Sequence, residues 1–361
     1  MGKLVDDDYL KVYQGKRVLV TGHTGFKGSW LTLLLKSLGA EVMGYALESD
    51  YPNSHYELLG LKNDIHHVIG DVRDLDRLRN EVLIFEPEIV FHLAAQALVR
   101  SSYEDPKSTF DINVGGGVNV LEVVRGCKSV RALVFVTSDK CYENQEWIWG
   151  YRETDAMGGH DPYSASKGAA ELIFSSYLRS FFMDRQKFGA ATARAGNVIG
   201  GGDWAADRIV PDCVRSLQAG KPIVIRSPGA TRPWQHVLEP ISGYLKLGAG
   251  LYHDGNKYNG SWNFGPQVER GRTVLDVANM IASQFIKGSV LVDESNSQSH
   301  EAHLLQLNSD KSRQLLCWST RWDFEQTLQA TCEWYRDVLI SGKTAEVVSR
   351  AQISKYYGMQ L

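Results

Sequence analysis

Between residues 18 and 28 the chain reads Val18-Leu-Val-Thr-Gly22-His-Thr-Gly25-Phe-Lys-Gly28, so three glycines at three-residue spacing separate a β-rich run from a helical pattern. No other stretch constrains the fold as tightly. A strand that turns at once into a helix belongs to a βα unit, and glycine permits the tight turn and close backbone approach needed there. The helix that follows offers free amides and the positive end of its dipole, which suits a pyrophosphate. A glycine pattern alone is a weak signal, since a plain structural turn uses the same residues. In this strand–loop–helix setting it points to a dinucleotide, with Gly22, His23, Gly25, Phe26, Lys27 and Gly28 as its contacts.

The pattern continues as an alternation. Short β-rich runs lie at 17–21, 41–46, 67–69, 89–93, 132–137 and 190–195, with helical patterns at 28–38, 75–85, about 109–125 and 163–182 between them. Strands alternating with helices predict an α/β fold, a Rossmann-type doubly wound parallel sheet. Beyond Asn197 the pattern loosens into glycine- and proline-marked loops at 200–203 and 227–233, and helical patterns resume near 208–219, 274–285 and 324–339. We expect a dinucleotide-binding domain over 1–196 plus about 234–264. A smaller α/β substrate-binding domain takes 197–233 and 265–361.

Composition narrows the class. Of the 361 residues 43% are hydrophobic and 22% charged, with a net charge of −3 and no basic run, which gives no support to a nucleic-acid partner. Five cysteines, an odd number without a Cys-x-x-Cys pair, suggest neither a disulfide framework nor a zinc cluster, so no metal is expected. The start, Met-Gly-Lys-Leu-Val-Asp-Asp-Asp, lacks a signal peptide's basic and apolar regions, and no apolar run reaches membrane-spanning length. The expectation is a cytoplasmic protein. Three short echoes of other motifs are discounted: His300-Glu-Ala-His303 as a polar surface turn, Gly342-Lys-Thr344 as lacking the leading glycine of a phosphate loop, and Asn259-Gly-Ser261 as an Asn-Gly turn.

Chemistry concentrates where the run 132–137 stops, at Ser138-Asp139-Lys140. In open α/β sheets, reacting groups gather at the carboxyl ends of strands. Downstream, Tyr163-x-x-x-Lys167 puts a phenol and an ammonium on one helix face. A free tyrosine titrates near ~10. Lys167 and a bound nicotinamide cation are expected to lower that value and make Tyr163 a base. Tyr103 and Lys107 share the spacing but bracket Pro106, and we read them as a helix start. Asp139-Lys140 suggests a second proton transfer, in which a protonated acid and a neutral amine are both favoured by burial. The sequence leaves open whether they instead form an ion pair.

The cofactor's other contacts are read from strand ends. Gly70-Asp71-Val72 places Asp71 by the adenine, and Leu93, Ala94 and Ala95 provide small residues along its path. His92 is read as a satisfied core histidine. The second strand closes on Gly44-Tyr45-Ala46-Leu47 without the usual ribose-binding acid, and Glu48 and Asp50 come late. No arginine is near enough for a 2′-phosphate, the next being Arg73, so NAD is expected rather than NADP.

The loop Thr21-Gly-x-x-Gly-x-x-Gly28 with Tyr163-x-x-x-Lys167 resembles the extended short-chain dehydrogenase/reductase family. Within it, the nucleotide-sugar 4,6-dehydratases carry an acidic pair after a hydroxyl residue at the fifth strand's end, Asp-Glu in the dTDP-glucose and GDP-mannose branches. Asp139-Lys140 resembles instead the branch acting on CDP-glucose, and the segments 137–144, 161–167, 194–204 and 232–237 agree. The resemblance covers nearly all of the chain beyond the first fifteen residues.

It implies C4 oxidation by Tyr163 with Lys167 and Ser138, loss of water across C5 and C6 by Lys140 and Asp139, and reduction at C6, with NAD regenerated in each turnover. It adds Asn113 and Thr137 as cofactor contacts, and Asn197, Arg232 and more weakly Arg208 as diphosphate contacts; recognition of cytosine rests on it wholly. A homodimer or homotetramer is implied, built through 109–125 and 163–182. Two rivals stand beside this reading: a 4-epimerase of the same fold, which needs no acid–base pair at C5 and C6, and a non-catalytic cofactor-sensing regulator.

Overall fold

The computed structural model describes residues 8–267, 272–285, 288–293 and 304–359. The His300–His303 turn read from the sequence lies outside them. Seven strands form the central sheet: β1 (Arg17–Thr21), β2 (Glu41–Ala46), β3 (His66–Ile69), β4 (Ile89–His92), β5 (Ala132–Val136), β6 (Gly189–Ala195) and β7 (Gly260–Phe264). The six expected strands form with ends displaced by one residue at most. The seventh comes from the segment read as returning to the first domain. Their order is β7-β6-β5-β4-β1-β2-β3 and every pairing is parallel. The chain reverses direction across the sheet between β1 and β4, where doubly wound sheets hold their ligands.

A parallel sheet is covered on both faces, so its strands read as continuous apolar runs rather than alternating ones. In β1, Val18 and Val20 enter one hydrophobic cluster while Leu19 enters the other. One face carries α2 (Leu75–Phe85), α3 (Gly117–Gly126) and α4 (Pro162–Tyr177); the other carries α1 (Phe26–Ser37) and α5 (Leu238–His253). Every residue of α5 except His253 is buried, the mark of a helix enclosed on all sides. Two of the helices contain or adjoin π turns: Asp111–Gly116 leads into α3, and Leu178–Phe182 prolongs α4.

The remaining segments gather around short pairings. Val198–Ile199 pairs in parallel with Gln235–His236, Ile223–Ile225 in parallel with Val290–Val292, and Thr231–Arg232 antiparallel with Arg272–Thr273. Helices Ile209–Gln218, Val274–Ser283 and Phe324–Leu339 occupy the places expected for them. Thr344 caps the helix Ala345–Tyr357 by accepting from the Val347 N–H, and Lys343 pairs with Asp337, so Gly342-Lys-Thr344 is a helix start. All five cysteines are free. No helix among the described residues is long and apolar enough to cross a membrane.

Candidate active site

Because the strands run parallel, the segments leaving β1, β4 and β5 emerge side by side. Thr21 stands opposite His92, and His92 opposite Phe135. Gly22 has φ +77°, and a Cβ on it would sit 2.7 Å from the Ala94 nitrogen; one on Gly28 would sit 2.1 Å from the Gly22 carbonyl oxygen. The loop therefore closes against its own helix and against the segment after β4. Helix α1 begins at Phe26, two residues before its expected start. Gly25 is its N-cap, no side chain caps it, and its first turn holds no acid. Those free amides in a cradle of glycine fit the pyrophosphate of a dinucleotide.

The neighbours divide into those that face this cleft and those spent elsewhere. Leu93 N–H donates to the Thr21 carbonyl and Ala94 N–H to its hydroxyl, which lays 93–95 beside the loop. The His23 ring is buried against Gly44 and hydrogen-bonded to His67 at 2.8 Å, so only its backbone serves the loop. His92 is buried with Nδ1 2.7 Å from the Thr21 hydroxyl. Asn113 spends its amide on the Gln96 backbone and the Ser166 hydroxyl, tying the segment after β4 to α4. Asp71 is gripped by the Arg73 fork, closest at 2.6 Å, which also removes Arg73 as a receptor for a 2′-phosphate. Val72 lies against Gly116 at the foot of α3. Beyond the ends of β2 and β3 a small cavity is lined by Thr24, Glu48, Ser49, Glu57, Lys62 and His67.

The catalytic candidates meet at the adjoining strand end. Ser138 caps the turn Asp139–Cys141, and its hydroxyl donates to Asp139 Oδ1 at 2.9 Å. Asp139 is buried; burial pushes its pKa up, against the pull of Lys140, Ser138, Lys27 and Arg232. Its carboxyl takes a hydroxyl rather than a contact ion pair with the half-buried Lys140. Tyr163 and Lys167 lie on the buried face of α4, with the ammonium 5.9 Å from the phenol ring's centre. Tyr103 is 60% exposed, and Lys107 pairs with Asp111 instead. The two equally spaced pairs thus differ in burial.

Burial pushes the Tyr163 phenol up to about 12, opposed by a hydrogen bond with Ser138 and by Arg208. Burial also brings Lys167 down to about 8, with Cys141 and Glu171 opposing.

Two of the candidates for substrate binding, Arg208 and Arg232, lie near the catalytic candidates. Arg208 acts on Tyr163 and Lys27, and Asp203 holds its guanidinium at 2.9 Å. Arg232 acts on Asp139 from its short strand. Asn197 is half-buried, and its carbonyl accepts the Gln235 N–H. Sequence reasoning missed Asp203, which follows three glycines, and Glu171 with Arg194. Glu171 continues the four-residue spacing of Tyr163 and Lys167, a signal that was available.

Known proteins place this architecture. The chain is 47% identical over 348 residues to a CDP-glucose 4,6-dehydratase of Salmonella typhimurium, covering 95% of this chain and 97% of that one. Among solved structures it is similar to a Thermus thermophilus UDP-glucose 4-epimerase in complex with NAD, with a TM-score of 0.75 and 25% identity over 89% of this chain and 99% of the other. A Bacillus anthracis dTDP-glucose 4,6-dehydratase in complex with NAD shares the fold, with a TM-score of 0.72 and 21% identity over 90% and 97% of the two chains. The profile of one family, described as GDP-mannose 4,6 dehydratase, spans residues 19–331, from the first strand into the helix Phe324–Leu339. The chain belongs to the GDP-mannose 4,6-dehydratase family.

Proposed function

We propose that this chain is an NAD-dependent hydro-lyase that converts CDP-D-glucose to CDP-4-dehydro-6-deoxy-D-glucose. The observation that carries the reading is the identity to the CDP-glucose enzyme along nearly the full length of both chains. Gly22, Gly25, Gly28 and the first turn of α1 would hold the cofactor's pyrophosphate, with Asp71, Val72, Leu93, Ala94, Ala95 and Thr137 along the rest of the molecule. When bound, NAD supplies the hydride acceptor for C4 and returns the same hydride to C6.

The residues of the chain handle the protons. Tyr163 takes the proton of the C4 hydroxyl, aided by Ser138, whose hydroxyl bonds the phenol. The C4 ketone acidifies the C5 hydrogen, which Lys140 removes, and C5 takes a proton back once the hydride has reached C6. Asp139, whose pKa burial raises, gives its proton to the departing C6 hydroxyl, a role that needs a carboxylic acid retained near neutrality. Arg208, Arg232 and Asn197 hold the diphosphate, for which the guanidinium fork is suited. Residues 1–196 with about 234–264 then serve the cofactor, and 197–233 with 265–361 the nucleotide sugar. The same reading makes the enzyme a cytoplasmic homodimer or homotetramer.

The test is mass spectrometry of CDP-glucose, dTDP-glucose, GDP-mannose and UDP-glucose, each incubated with the protein and NAD. Loss of one water from CDP-glucose alone is expected. Water lost from another sugar instead would refute the nucleotide assignment. An inverted C4 without water loss would make the protein an epimerase, and no change in any sugar would favour a sensor.

A further inference from the structure

Below the catalytic face of α4 lies an ion pair with almost no access to solvent: Glu171 and Arg194 have side-chain exposures of 1% and 0%. Arg194 Nη2 and Nε reach the two carboxylate oxygens at 2.8 and 2.9 Å, the bidentate geometry of a strong charge-assisted pair. Glu171 also collects hydroxyls from the ends and interiors of three neighbouring strands. Thr137 donates to Oε1 at 2.5 Å, Thr192 to Oε2 at 2.8 Å, and Ser261 to Oε2 at 3.4 Å. Arg194 in turn bonds the Tyr142 hydroxyl at 2.6 Å, which itself donates to Asn263 at 2.8 Å.

Stability alone is a poor reason for such a pair, because well-packed apolar residues commonly replace a buried ion pair at no loss. Its placement supplies another. Glu171 is one turn beyond Lys167 on the helix and two beyond Tyr163, and all three are buried. Its bond to Thr137 fixes the residue that precedes Ser138 and commits the Thr137 proton inward, so that on the cleft side this hydroxyl only accepts. Burial would neutralise the carboxyl, yet Arg194 and the two threonine hydroxyls keep it ionised.

We propose that Glu171, braced by Arg194, is a positioning residue for the hydride-transfer half of the reaction, holding Thr137 and the ammonium of Lys167 in their working places. The inference rests on the dehydratase reading above. Its charge opposes the burial that lowers the Lys167 pKa, and its Oε1 ties α4 to the end of β5 through Thr137.

The test compares CDP-glucose with CDP-glucose deuterated at C4, using NAD-loaded wild type, Glu171→Asp, and the double variant Glu171→Gln/Arg194→Gln. A misplaced hydride step costs about tenfold or more in kcat. The double variant is expected to lose that much per bound cofactor, to keep its KM, and to show a larger deuterium effect on kcat than wild type. Glu171→Asp keeps both charges with a shorter reach and shows the same signature at smaller size; should the double variant not fold, it decides. An unchanged isotope effect, with any loss of rate matched by loss of folded, cofactor-loaded enzyme, overturns the inference alone. A wild type that leaves CDP-glucose unaltered overturns the dehydratase reading and this inference with it.

Discussion

Asp139 and Lys140 are adjacent, yet their environments differ: one carboxyl is buried beneath a serine hydroxyl, and one amine is half-buried at the rim of the cleft. Oxidation at C4 needs neither of them, so Lys140→Met is expected to form reduced nicotinamide on mixing with substrate but to release no water. Absorbance of the reduced ring and the mass of the sugar check both halves, and normal dehydration would remove Lys140 from the mechanism. Lys167 carries a stability prediction of opposite sign to its activity. Its folded pKa of about 8 lies below the ordinary 10.5, so the unfolded chain binds more protons in that window and stability rises as pH climbs through it. At neutral pH the buried ammonium therefore costs stability. Lys167→Met is expected to raise the melting temperature while turnover falls by about 10²–10⁴-fold, as thermal unfolding and a dehydration assay would show. The five catalytic candidates could be proposed from the sequence because their spacing is local. The upward shift of Tyr163 was not, since burial is a property of what packs over a residue.

Helix α5 shows the same contrast for an element. Its sequence, Leu-Glu-Pro-Ile-Ser-Gly-Tyr-Leu-Lys-Leu-Gly-Ala-Gly-Leu-Tyr-His, contains a proline and three glycines and gives little local reason to be helical. Packing explains it. A Cβ on Gly243 would lie 2.3 Å from the Phe264 ring, and one on Gly248 2.7 Å from the Tyr13 hydroxyl, so the glycines let the helix lie close against the sheet. In an exposed helix Gly→Ala gains about 1 kcal/mol. Here Gly243→Ala is expected to destabilise by about 1–3 kcal/mol through overpacking, measured by denaturant unfolding; a stabilised variant would contradict the close approach. The loop between β1 and α1 was readable for the converse reason. Its glycines answer a local turn and the ligand beside it, and both leave a short-range pattern. The π turns at Asp111–Gly116 and Leu178–Phe182 left none, because one extra residue in a helix changes hydrogen bonding without changing composition.

For the molecule as a whole, α4 presents its catalytic stripe inward while Leu172 is 64% exposed on another face, followed by Phe181 at 49% in the π turn beyond. In the proposed dimer these residues are buried against the partner's equivalent helices. Leu172→Glu is expected to yield monomers by light scattering after gel filtration; an unchanged mass would place the interface elsewhere. The parallel sense of the sheet followed from the alternation of elements, and the proposed place of the site from which strand ends carry polar residues. Those are periodicities of two and 3.6 residues that any local stretch displays. Who stands beside whom across the sheet did not follow. The seventh strand, the grip of Glu171 on Thr137, Thr192 and Arg194, and the burial that shifts the pKa values of Asp139, Tyr163 and Lys167 all join residues far apart in the chain. Such contacts exist only once the layers have packed, because desolvation and ion pairing depend on distance in space and not on distance along the backbone.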